Sequence, residues 1–249
     1  MNNLIKYVAF SMLLLSSQSV LATDPFSMAT EMMKKAGVVV NETTDDLVFT
    51  IGAKKKFFWS RANLNFLATG DASNGGKILE NLKCYKCHGD TGIADDDDTP
   101  SLAGQVVAYT FKQMIDYKSG VRIDKKMQKA VKKLTASELN DIAAFYALQK
   151  PQPMSGGEDI PHLAKNGDKS RKLIGCEDCH NKNAYDRGHQ TPYIEGQKPE
   201  YMLEMLTMFK DSDRVNDHYR VMRKVAAKLS DEEIEALATY YASKPEEDD

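Results

Sequence analysis

The chain has 249 residues, 42% of them hydrophobic and 28% charged, with a formal net charge of −3. That balance excludes a disordered chain. It also lacks the strongly basic bias of a general nucleic-acid binder, so no nucleic acid is expected among the partners.

The N-terminus, "MNNLIKYVAFSMLLLSSQSVLATDPF", has Lys6 ahead of an apolar core from Tyr7 to Leu15. Val20, Leu21 and Ala22 supply a cleavage site, so residues 1–22 read as an export signal cut after Ala22. The apolar run is too short to span about 30 Å of hydrocarbon, and Ser16, Ser17, Gln18 and Ser19 interrupt it. No later run is apolar for long enough either. The expected mature protein is therefore exported, soluble and without a transmembrane anchor, and cleavage shifts the net charge to −4 by removing Lys6.

Residues 23–73 form an N-terminal extension. Within it "LVFTI" (47–51) predicts a short strand. "GAKKKFFWSRANLNFLATG" (52–70) mixes lysines with Phe57, Phe58 and Trp59. Basic residues beside aromatics bind single-stranded nucleic acid in some proteins. In a short, exported stretch the better reading is packing of those rings over the following domain.

The next stretch holds chemistry. "LKCYKCHGD" (82–90) contains Cys84, Cys87 and His88 in the pattern C-x-x-C-H, and Cys176, Cys179 and His180 repeat it 92 residues later. No cysteine is left over. At the same offset "NGGKILENLKCYKCHG" (74–89) lies over "NGDKSRKLIGCEDCHN" (166–181), and "TPSLAGQ" (99–105) over "TPYIEGQ" (191–197). Tyr109 falls on Tyr201 and Arg122 on Arg214. The offset then becomes 95, where "MQKAVKKLTASELNDIAAFYAL" (127–148) lies over "MRKVAAKLSDEEIEALATYYAS" (222–243). A repeat of this length is a whole small domain. The expected units are residues 74–150 and 162–245, joined by a Pro- and Gly-rich linker at 151–161 and followed by an acidic tail at 246–249.

Each unit predicts helices. One leads into each cysteine pair, and amphipathic helices run over about 107–117 and 199–209. Thr135 with Glu138, and Ser230 with Glu233, form capping boxes that open the final helices. Pro151 and Pro245 follow those helices and stop them. Strand signals within the repeats are nearly absent.

C-x-x-C-H is the attachment signature of c-type haem. Two sulfurs three residues apart reach the two vinyl groups on one porphyrin edge, and the adjacent histidine faces the iron. Zinc would need four ligands converging from paired C-x-x-C motifs about 15–20 residues apart, whereas these pairs lie in separate domains. A thioredoxin-like dithiol expects a strand-rich setting. Two copies in register, in an exported chain, point to two covalently bound haem c groups, with His88 and His180 on the irons.

A sixth ligand raises the reduction potential when it is methionine. Met127 and Met222 stand in register just before the final helices and are the candidates. Met114, Met202, Met205 and Met208 fall within amphipathic helices and read as core filler. His218, four residues before Met222, is a competing ligand for the second iron. His162 and His189 have no counterparts in the first copy and read as surface residues. "P-x-L-x-G" at Pro100 and "P-x-I-x-G" at Pro192 follow the motifs, and a proline carbonyl there is placed to accept from the histidine's other ring nitrogen.

Together, C-x-x-C-H, P-x-L-x-G, a late methionine and an aromatic-bearing final helix resemble a class I cytochrome c. Two in tandem resemble the dihaem cytochrome c4 family, over residues 74–243. The cytochrome subunit of flavocytochrome c sulfide dehydrogenase has a similar plan. The resemblance implies all-α domains, two tandem class I cytochrome c units from internal duplication, and a periplasmic location. It implies electron relay from a donor dehydrogenase or quinol-oxidising complex to an acceptor oxidase or reductase, with propionate edges of the two haems meeting between the domains. The rival readings are a subunit of a dehydrogenase complex, or a dihaem enzyme such as a peroxidase or thiosulfate-oxidising cytochrome, whose chemistry needs an open or displaceable ligand. Two departures stand out: the long extension, and a path from Arg122 to Met127 three residues shorter than its counterpart.

Charge is uneven. Residues 118–133 carry Lys118, Arg122, Lys125, Lys126, Lys129, Lys132 and Lys133 against Asp124 alone. Acid concentrates at 95–98 and 246–249. The basic stretch around Met127 is the candidate docking surface for an acidic redox partner.

Overall fold

In a computed structural model, the described residues are 39–40, 48–51, 54–57, 61–153, 160–180 and 191–242, with residues 39–62 described by backbone alone. The expected export signal, His189 and the acidic tail lie outside the described residues, as do Phe58, Trp59, Pro245 and most of the linker.

Among the described residues three short strands precede the helices: β1 (Val39–Val40), β2 (Val48–Ile51) and β3 (Lys54–Phe57), paired antiparallel in the order β1-β2-β3. The β2 strand is the short strand that "LVFTI", rich in β-branched and aromatic residues, predicts. It pairs with β3 from Val48 opposite Phe57 to Ile51 opposite Lys54. The two repeat units contain no named strand among the described residues, so they are all-α.

The first unit comprises α1 (Arg61–Leu67), α2 (Ala72–Leu82), α3 (Tyr85–His88), α4 (Val107–Ser119), α5 (Lys125–Val131) and α6 (Ala136–Ala147). Its packing begins before residue 74. Leu67 is buried in the first core with Leu64 and Phe66 against it. The Phe66 ring meets Phe111 edge-on at 6.0 Å, and Asn140 Nδ2 donates to the Phe66 carbonyl at 2.9 Å. The extension's last turn is thus part of the first domain's core. The β3 strand runs against α4.

α2 crosses α6 at very close range, and glycine permits it. A Cβ on Gly75 would sit 2.1 Å from the Asp141 carbonyl oxygen. In an exposed helix interior that glycine would cost up to about 1 kcal/mol. Here its missing side chain lets the two backbones touch.

The second unit comprises α7 (His162–Asn166), α8 (Glu177–His180), α9 (Pro199–Asp211), α10 (Val221–Ala226) and α11 (Asp231–Tyr240). A helix leading directly into Cys176 is the expectation the structure corrects. α7 ends at Asn166 because Gly167, in register with Gly75, adopts φ +66. The next residues form a turn closed by paired hydrogen bonds between Asp168 and Leu173. The Asp168 carboxylate accepts from Ser170 N at 2.8 Å and Arg171 Nε at 2.7 Å. Arg171 also grips Glu233 through two 2.8 Å bonds, tying this turn to α11.

Both capping boxes form as the sequence predicts. The final helices then bury matched faces: Leu139 is 0% exposed and its register partner Ile234 is 1% exposed. Each lies in its own core. Leu139→Ala is therefore expected to destabilise the first unit by ~3 kcal/mol, a loss that denaturant titration measures.

Candidate functional site

Each C-x-x-C-H sits on a short helical turn. His88 N donates to Cys84 O at 3.1 Å and Cys87 N to the same oxygen at 3.2 Å. In the second copy His180 N reaches Cys176 O at 2.8 Å and Cys179 N reaches it at 3.1 Å. One turn places the sulfurs at i and i+3 on a common face. None of the four cysteines is in a disulfide.

The histidines are oriented identically. His88 Nδ1 lies 3.0 Å from the Pro100 carbonyl, and His180 Nδ1 lies 3.0 Å from that of Pro192. A carbonyl only accepts, so Nδ1 carries the proton and Nε2 keeps its lone pair for a metal. Burial pushes both imidazoles below their usual pKa, opposed by those carbonyls, which favours the neutral ligand form. The proline loops are pinned by the glycines of P-x-[LI]-x-G: Gly104 and Gly196 both adopt φ +68. Gly104 N then donates to Tyr146 O at 2.8 Å, fastening the loop to α6.

These groups face one cavity of about 600 Å³ that runs from the first motif to the second. Its lining includes Cys84, Cys87, His88, Pro100 and Met127 at one end, and Cys176, His180, Pro192 and Met222 at the other. Cys179 shares a helical turn with His180 but is not in the lining. His218 is also outside it, which leaves Met222 as the sulfur or nitrogen donor of that segment facing the space. Met114 and Met202 are buried in the two cores, yet they line the cavity as well, together with Met205 and Met208.

Between the two ends the domains clasp reciprocally. The Gln105 side chain bonds Tyr193, donating to its carbonyl at 2.8 Å and accepting from its N–H at 2.9 Å. Gln197, in register with Gln105, does the same to Ser101 at 2.9 and 2.8 Å. Ser101 and Tyr193 are themselves in register. Next to this clasp Arg122 Nη2 donates to Tyr201 Oη at 3.0 Å, and Arg214 Nη2 to Tyr109 Oη at 3.2 Å. Arg122 stacks over the Tyr117 ring at 4.7 Å and Arg214 over Phe209 at 4.5 Å, again in register. Burial raises the Tyr201 phenol, but the guanidiniums of Arg122 and Arg214 outweigh it and hold that pKa below normal.

Sequence reasoning put Arg122 on a docking face; the structure corrects this. Arg122 is 8% exposed and spent on the domain junction. Gln105, Gln197 and the tyrosine pair were also missed as interface residues. Their signal was present, because polar residues repeated in register without a local capping role are candidates for a contact between the copies.

The residues fit haem. At the first motif two thiols and a neutral imidazole line a mainly apolar space; at the second, Cys176 and His180 line it, with Cys179 on the same helical turn. Thr110 Oγ1 and Tyr241 Oη are buried without a hydrogen-bond partner, and both line the cavity. Orphaned hydroxyls cost about 1–3 kcal/mol each unless a bound group meets them. The cationic junction suits the carboxylates that a haem carries.

No protein-family model matches the sequence. Cytochrome c4 of Pseudomonas aeruginosa is 34% identical over 184 residues, 70% of this chain and 88% of that protein. The crystal structure of reduced cytochrome c4 from Pseudomonas stutzeri matches with TM-score 0.61 and 34% identity, over 70% of this chain and 99% of that one. A thiosulfate dehydrogenase electron acceptor from Thiomonas intermedia is 29% identical over 80% of this chain and 89% of its own.

Fold and site define a dihaem c-type cytochrome, an electron-transfer protein with two covalently bound haem c groups. The chain belongs to the cytochrome c4 family.

Proposed function

We propose that Cys84 and Cys87 hold the first haem by thioethers with His88 and Met127 on its iron. In the same way Cys176 and Cys179 hold the second, with His180 and Met222. Pro100 and Pro192 fix the histidine tautomers. The observation that carries this is the single cavity, lined at each end by a histidine and a methionine.

A bound haem supplies a one-electron ferric–ferrous couple. The chain does the rest. The sulfurs of Met127 and Met222, as axial ligands, would favour the ferrous state and raise the potential. The buried, mainly apolar walls exclude water and limit rearrangement on electron transfer. The clasp of Gln105 and Gln197 keeps the two ends at a fixed separation. The protein relays single electrons between redox proteins, a donor dehydrogenase or quinol-oxidising complex and an acceptor oxidase or reductase, with no chemistry of its own on a substrate. It works in the periplasm after cleavage of residues 1–22; among the described residues no helix is long and apolar enough to cross a membrane. The Thiomonas relative supports a second reading, in which the donor is a dehydrogenase for a reduced sulfur compound.

The ferric protein is expected to show the weak near-infrared absorption of a methionine-bound haem at the intensity of two sites. Met127→Ala and Met222→Ala each remove half of it and lower one potential by on the order of 0.1 V. A one-site signal in the unmodified protein, with peroxide or thiosulfate turnover, would instead mark an enzyme.

A further inference from the structure

The two candidate methionines are delivered by differently supported segments. Met127 is held within its own domain: Asp124 caps α5, and its carboxylate accepts from Met127 N at 2.7 Å. Met222 follows a longer path through left-handed backbone. Ser212, Tyr219 and Arg220 have φ of 65°, 49° and 61°, and none is glycine. Such residues cost about 1–3 kcal/mol each and persist where their surroundings over-determine them.

The surroundings come from the first domain. Lys112 Nζ donates to the Asn216 carbonyl at 2.6 Å. Asn216 Nδ2 donates to Asp116 Oδ2 at 2.7 Å and to Gln113 Oε1 at 2.8 Å. Lys112 also pairs with the Asp116 carboxylate, so one buried ion pair grips the loop from two sides. Lys112, Gln113 and Asp116 all belong to α4, and Asp116 is 2% exposed. The grip is then passed along the chain: Asp217 accepts from Arg223 N at 3.0 Å and Arg223 Nε at 2.7 Å, immediately past Met222.

The arrangement is one-sided. The Arg–Tyr bonds are reciprocal between the copies, but the ion pair is not. Lys112 and Asp116 fall in register with Glu204 and Met208, which cannot form the same pair.

We propose that Lys112 and Asp116, through Asn216, are positioning residues for the second haem: the first domain sets how firmly Met222 is held at the iron of the other domain, with no matching ion pair in reverse. This rests on Met222 being that ligand. Coupling is thereby unequal, since a disturbance of the Lys112–Asp116 pair reaches the Met222 segment while Met127 keeps its own Asp124 cap.

The test follows each iron-bound methionine separately in the holoprotein, by its upfield-shifted methyl resonance in the reduced state, assigned with Met222→Leu. It also titrates the ferric protein with imidazole, which displaces a loosely held methionine. Two methyl resonances in the unmodified protein establish the ligation reading; a missing second-site resonance there refutes that reading before any variant is made. Given both, Asn216→Ala and Lys112→Gln are expected to lower the imidazole concentration needed at the second site about tenfold, the worth of one charge-assisted hydrogen bond. The first-site resonance and titration stay unchanged, which also reports that the variant is folded. Unchanged displacement at the second site in both variants, or an equal shift or loss at both sites, overturns the positioning role and leaves the ligation reading standing.

Discussion

Replacing both Cys176 and Cys179 with serine is expected to yield a protein with one haem, half the haemochrome absorbance and a collapsed second domain. The reasoning starts from the cores. The first core has Phe111, Leu139 and Ala143 fully buried and draws on α1, α2, α4, α5 and α6. Among the described residues the second gathers fewer buried side chains, and its leading helix is cut to five residues at Asn166. Both wrap the same cavity of about 600 Å³. At about 24 cal/mol per Å³, emptying half of it costs ~7 kcal/mol as an upper figure, since water would partly refill it. That is comparable with the whole stability of an ordinary domain, about 5–15 kcal/mol. The smaller core has the least to set against it. Mass spectrometry counts the haem lost, and far-ultraviolet circular dichroism follows the helices lost with it. The matching change at Cys84 and Cys87 is expected to be milder for helix content. Retention of full helicity after loss of the second haem would show that the apolar core alone sustains that domain.

Much of this architecture was legible because it was written twice. The offset of 92 that aligns the C-x-x-C-H motifs also aligns the histidine–proline contacts, both 3.0 Å. The capping boxes at Thr135 and Ser230 fixed the starts of α6 and α11 through purely local chemistry. What stayed hidden depends on long-range contacts. Gly75 and Gly167 are the same residue in register, yet one permits a helix crossing and the other ends a helix. Neither outcome follows from local propensity, because the partner backbone, Asp141 in one case and Leu173 in the other, decides it. Arg122 looked like surface charge because its sequence neighbours are exposed lysines. Its own side chain turns inward to Tyr201, a contact spanning 79 residues that no periodicity encodes. The extension was legible only as far as the β2 strand, and α1 joined the first core through tertiary packing of Phe66 and Leu67.

With Arg122 removed from the surface, the basic face still stands, and its electrostatics make the second large prediction. Lys118, Lys125, Lys126, Lys129, Lys132 and Lys133 are exposed, with Asp124 as the local counter-charge. Ile123, 75% exposed, sits among them. Ile123, Lys126, Met127 and Ala130 all line the cavity, so this face surrounds an approach to the first site. An apolar tip ringed by cations suits a partner with a small apolar contact and an acidic rim, because steering brings it in while the centre excludes water. Changing Lys125, Lys126 and Lys129 to Glu turns a net positive face slightly negative. The second-order rate of electron exchange with an acidic redox protein is expected to fall about 100-fold at low ionic strength. Near 1 M salt, where charges are screened within about 3 Å, the two proteins should converge. These side chains are exposed, so stability should change by no more than about 0.5 kcal/mol per site. Lys165→Glu with Lys169→Glu, on the exposed surface of the second unit, changes net charge at a distance from this face and is expected to leave most of the rate intact. Stopped-flow measurements across a salt series decide it: equal losses per reversed lysine in both sets of variants would reduce the effect to net charge, and a rate indifferent to salt would remove steering altogether.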